Sequence, residues 1–116
     1  MSKLTTNKIP TVEFYDSITS FLSATLKMKA QIESLRFEKA LYDLCIEQYN
    51  IKIKDQEKVI ADNQNEQIVE SAKLYIKEFE VKIMEQQSKK SLCDIRISRI
   101  EYDLKNYEES TQPAKK

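Results

Sequence analysis

Along the chain, apolar and aromatic residues recur in steps that alternate four and three. Phe14, Ile18, Phe21, Thr25, Met28, Ile32, Leu35, Lys39, Tyr42, Ile46, Tyr49, Ile53, Gln56 and Ile60 form one such series, in which eleven of fourteen positions are apolar or aromatic. This is the 3.5-residue repeat of a helix seam that faces another helix; a strand would repeat with period two. A second series runs through Val69, Ala72, Ile76, Phe79, Ile83, Gln86, Lys90, Cys93, Ile97, Ile100, Leu104 and Tyr107, with ten of twelve positions apolar. The two do not join. Val69 lies nine positions after Ile60, whereas a continuous seam would place them about seven, ten or eleven apart.

The interval between the series, residues 61–67, is polar after Ala61. Asparagine tolerates the left-handed backbone that a turn needs when glycine is absent. Asn63 with Glu66 also matches a helix-start pattern, a side-chain acceptor followed three residues later by Glu. The pattern predicts a turn near 62–66, flanked by helices over about 12–61 and 66–109, with one unbroken helix as the alternative. Pro10 and Thr11 suit the first helix start, Thr11 as its N-cap, and Pro113 lies beyond the second helix. A short connection favours an antiparallel hairpin. The expected organisation is one helical domain over 12–109 between flexible segments 1–11 and 110–116.

Folding the chain about residue 64 sets positions whose numbers sum to about 128 level with each other. Lys39 then stands level with Lys89 and Lys90, with Gln86 one turn away, so most polar exceptions on the seams gather at one level. Facing lysines in a dry seam are costly unless paired or reaching outward, and Glu38, Asp43 and Glu85 are near enough to compensate them. The all-polar run 86–91 fits a solvated stretch of helix, a kink, or a break that makes three helices. It could also receive an acidic group from a partner.

Each helix carries a second apolar face. Phe37, Leu41, Leu44 and Ile51 lie on the side of the first helix away from its seam, and Leu74, Val81, Ile95 and Tyr102 lie opposite the seam of the second. A helix apolar on two sides packs on two sides or leaves an exposed patch. These eight residues are the candidate protein-interface positions. The leading expectation is an all-α, coiled-coil-like antiparallel hairpin that dimerises into a four-helix bundle. The alternatives are a groove for a different protein, or a three-helix bundle that buries both faces itself. Association also suits a chain of this size, because a hairpin buries little surface per residue. Tyr15, Tyr75 and Tyr102 fall off the seams and are secondary contact candidates, while Tyr42, Tyr49 and Tyr107 fall on them.

Composition sharpens this picture mainly by exclusion. The 116 residues include no glycine, no histidine and only two prolines. Without histidine there is no histidine base, nucleophile pair or metal ligand, and without glycine no phosphate-cradling loop. Cys45 and Cys93 are too few for a disulfide scaffold or a zinc site, and read as small buried apolar groups. The acidic residues alternate with lysines along helix faces, as in Lys77, Glu78, Glu80 and Lys82, the pattern of a solvated surface. Ser88 and Ser91 beside Lys89 and Lys90 do not make a Ser-Lys pair, since helix neighbours do not face each other.

No catalytic, cofactor or metal site is expected. The 19 basic and 19 acidic residues balance, which argues against nucleic acid and against a membrane-surface helix. No stretch approaches the roughly 18 apolar residues that span a bilayer. Residues 1–10 lack the apolar core of a secretory signal, so the expected location is cytoplasmic, with a signal-less secretion route also open. The function expected is a non-catalytic interaction module that binds itself and another protein, such as an enzyme, as inhibitor, chaperone or adaptor. The alternative is a structural subunit of a larger helical assembly or tether.

Overall fold

The computed structural model describes residues 12–111, and of residues 13–15 and 111 only the backbone. The side chains of Phe14 and Tyr15, and residues 1–11 and 112–116 with the N-cap expected at Thr11 and both prolines, lie outside the described residues, whereas residues 110 and 111 continue the second helix. Two helices make up the fold: α1, Val12–Asp62, and α2, Glu66–Thr111. Both expected boundaries agree within two residues. Helix α2 runs unbroken through the polar run 86–91, so the three-helix alternative is not adopted. Contacts divide the chain into two units, residues 12–33 with 98–111, and residues 34–97.

In the 34–97 unit the two helical segments run antiparallel on either side of residues 63–65. The reversal uses no left-handed residue, because no described residue has positive φ. The asparagines act instead through their side chains. Asn63 Nδ2 donates to the Val59 carbonyl at 3.0 Å, satisfying one of the acceptors left over at the end of α1. Asn65 Oδ1 accepts from the Gln67 amide at 2.9 Å, and the Asn65 carbonyl accepts from the Val69 amide at 3.0 Å. Asn65 is therefore the N-cap of α2. The helix start assigned to Asn63 is corrected: Asn63 closes α1, and Asn65 opens α2.

The seam of this unit holds the core. Ala72, Cys93 and Ile97 are buried, and Leu35, Tyr42, Ile46, Tyr49, Ile53, Ile60, Val69, Ile76, Phe79 and Ile83 are half-buried. Tyr49 stacks on Phe79 with ring centroids 6.0 Å apart, at a level whose numbers sum to 128. Lys52 Nζ lies 5.6 Å and 5.7 Å from those two ring centres, lending a cation–π contact at the edge of the seam.

In the other unit, residues 12–33 and 98–111 pair in the same sense. Phe21 stacks on Tyr107 at 5.3 Å and 10°. Ile32 and Thr25 are buried, and Met28, Ile100 and Leu104 are half-buried. The Thr25 hydroxyl finds no hydrogen-bond partner among the described residues. A hydroxyl placed in an apolar seam this way is destabilising.

Candidate interaction surface

Seam and surface are separated by a simple rule. The eight outward candidates each stand two residues after a seam position, which turns them about 200° around the helix. All eight are exposed. In the 34–97 unit, Phe37, Leu41, Leu44 and Ile51 on α1 and Leu74, Val81 and Ile95 on α2 are 48–63% accessible; Tyr102, in the other unit, is 67% accessible. Phe37, Leu41, Leu44 and Ile51 share one face. Leu74, Val81 and Ile95 share another, and within this unit the two faces point away from each other. Leu92 was not singled out by the sequence reading, yet it is equally exposed. It follows seam residue Lys90 by two, which is the signal that could have found it.

Tyr75 is exposed, stacks on Phe79 at 6.5 Å and lines a groove of about 370 Å³ near the turn, together with Val59, Ile68, Ala72, Gln56 and Gln67. Exposed apolar side chains are numerous beside the fully buried ones. Among the described residues sixteen large apolar side chains are exposed, and four apolar residues are buried.

The lysine level contains its own compensation. Lys39 pairs with Asp94, and Lys90 pairs with Asp43. The two ion pairs cross the seam reciprocally, from a seam lysine on one helix to the flank of the other. Among the three acids expected to compensate, Asp43 does so. Glu85 instead approaches Lys82 on its own helix at 3.9 Å. Glu38 accepts a hydrogen bond from the Cys93 thiol at 3.0 Å. Asp94 is the partner the sequence reading missed.

The electrostatics follow from these contacts. The Cys93 thiol bond holds the Glu38 carboxyl below its ordinary range, with the Tyr42 hydroxyl and Arg96 acting in the same direction and partial burial opposing them. Burial, then Glu38, pushes the Cys93 thiol up. Burial and the Glu38 charge push up Tyr42, whose ring also carries Lys89 Nζ at 5.9 Å from its centre. The Asp94 hydrogen bond raises Lys39 against the cost of its partial burial. The thiol therefore stays protonated as a donor, and the carboxyl stays ionised as its acceptor. The level is a self-satisfied polar layer within the seam.

Among the described residues no group of three or more metal-ligating side chains is placed to hold an ion. No helix there is long and apolar enough to cross a membrane. Comparison with protein-family models, with curated proteins and with solved structures finds no match.

Proposed function

We propose that this chain is a non-catalytic interaction module: a homodimer that binds another protein and regulates it as an inhibitor, chaperone or adaptor. One observation carries the reading. Helical segments that already share a seam keep a second row of apolar residues in water, spaced like a seam and placed opposite it. Because those rows point away from each other in the 34–97 unit, a single flat partner cannot cover both. Two occupants suit two rows, one a second copy of the chain and the other the regulated protein. The same geometry supports a second reading, a subunit of a larger helical assembly, in which neighbouring subunits occupy both rows. Cytoplasmic residence accompanies the first reading.

Size-exclusion chromatography with light scattering, followed by affinity capture, tests this function. The expected result is a stable dimer that retains a defined protein, with retention lost in Val81→Asp and dimerisation kept. Retention of the same protein by Val81→Asp would refute the assignment of the α2 row. Open-ended oligomers growing with concentration would replace the first reading with the second.

A further inference from the structure

The outer row of α1 is symmetric about its own middle. Phe37 and Ile51 lie seven residues either side of Leu44, so they stand one heptad above and below it on the same face. The adjacent row repeats the arrangement with charge: Glu38 and Lys52 lie seven residues either side of Cys45. All six residues belong to the 34–97 unit. Phe37, Leu44 and Ile51 are exposed, as is Lys52, and Glu38 and Cys45 are half-buried.

We propose that a second copy of this chain docks on this face, its α1 antiparallel to the first, about a two-fold axis beside Leu44 and Cys45. This arrangement rests on the homodimer reading above and specifies it. Rotation about that axis brings Phe37 against Ile51 of the second copy, Leu44 against Leu44, and each Glu38 beside a Lys52. An isologous pairing makes every such contact twice. Charge selects the direction. Parallel pairing would set Glu38 against Glu38 and Lys52 against Lys52, and like charges level across a helix pair are unfavourable. The contacts Glu38 and Lys52 make within their own chain leave both at the margin of the seam, beside the face that docks.

The axis also brings the two Cys45 thiols side by side. Cys93, the other thiol, is buried in the seam. A short bismaleimide therefore reports the geometry without perturbing the fold: its two ends alkylate one thiol from each copy. Wild-type protein is expected to give a covalent dimer, Cys93→Ser to give the same dimer, and Cys45→Ser to give none. In parallel, Lys52→Glu and Glu38→Lys are each expected to weaken dimerisation about tenfold, since each replaces two attractions with two repulsions. The double exchange is expected to restore it to within about threefold. Circular dichroism melts of each variant separate loss of docking from loss of fold, and Lys52→Glu does not touch the Glu38–Cys93 bond.

A dimer in solution that does not cross-link through Cys45, or whose double exchange is no better than the single ones, overturns the arrangement and leaves the homodimer reading standing. A chain that remains monomeric at every concentration overturns both. A dimer that forms, cross-links at Cys45 and recovers on double exchange supports the proposal.

Discussion

Ile95 and Ile97 are two residues apart in α2, carry the same side chain, and differ in environment: Ile97 is 9% exposed and Ile95 63% exposed. Replacing each in turn by alanine isolates what the seam contributes. Ile→Ala removes about three methylene equivalents, worth ~2.4 kcal/mol when fully withdrawn from water. Scaled by the buried fraction, that is about 2.2 kcal/mol at Ile97 and ~0.9 kcal/mol at Ile95. Alanine's better helix propensity returns about 0.4 kcal/mol at both sites. At Ile97 the space left in the seam adds a further cost, which places the expected loss at about 2–3 kcal/mol. At Ile95 the expected loss is about 0.5 kcal/mol. Urea unfolding followed by circular dichroism, at protein concentrations low enough to hold the chain monomeric, reads both values. Two losses within about 0.5 kcal/mol of each other would refute the division into seam and outer row. Raising the protein concentration adds a second reading. If a partner copy covered Ile95, its cost would grow with concentration; docking through α1 leaves it constant.

Two further outcomes follow from the turn and the polar layer. Asn65→Ala removes the side-chain cap of α2 and is expected to cost about 1 kcal/mol in the same unfolding assay, whereas Asn65→Ser retains most of the cap. Glu38 has a folded pKa below its ordinary value of 4.5. Its contribution is therefore fully present above that value and is lost as pH falls through the lower folded one. Melting temperature against pH is expected to fall less steeply on the acid side in Glu38→Gln than in wild type; parallel curves would show that the carboxyl is not engaged.

The seams were fully legible in the sequence because helix packing repeats. Among the seam positions whose side chains are described, all but Ile18 are buried or half-buried, a consequence of the 3.5-residue period alone. The turn was legible in position and less so in mechanism. Asparagine was expected to supply a left-handed residue, and both asparagines act instead through side-chain hydrogen bonds, with no described residue at positive φ. The polar layer was legible as a level, with its partners partly misassigned. Glu38 and Glu85 were judged by nearness in sequence, and what decides pairing across two helices is heptad position. Lys39 with Asp43 and Lys90 with Asp94 are the same Lys-x-x-x-Asp spacing placed identically on the two seams. In an antiparallel pair such a duplicated motif crosses over, each lysine reaching the other helix's aspartate. The outward rows were also legible as positions, because each of their residues follows a seam position by two.

The crossed lysines also bear on why the chain keeps charge in a seam that apolar residues would fill more favourably. Half-solvated ion pairs contribute little net stability, so stability is a weak reason for them. Register is a better one. Most of the seam is apolar side chain, and sliding one helix by a heptad would still oppose apolar with apolar at most levels. The polar layer breaks that degeneracy. A slip of seven residues one way sets Lys39 beside Gln87 and Lys90 beside Arg36, and a slip the other way leaves Lys90 beside Asn50. Each loses at least one of the two ion pairs, and the Cys93–Glu38 bond with them. A buried or half-buried polar group that fixes the alignment of two helices is the best-attested use of such residues. Alignment also sets where the exposed row of α1 stands against that of α2 along the 34–97 unit, because a heptad slip would move the two rows about 10 Å relative to each other.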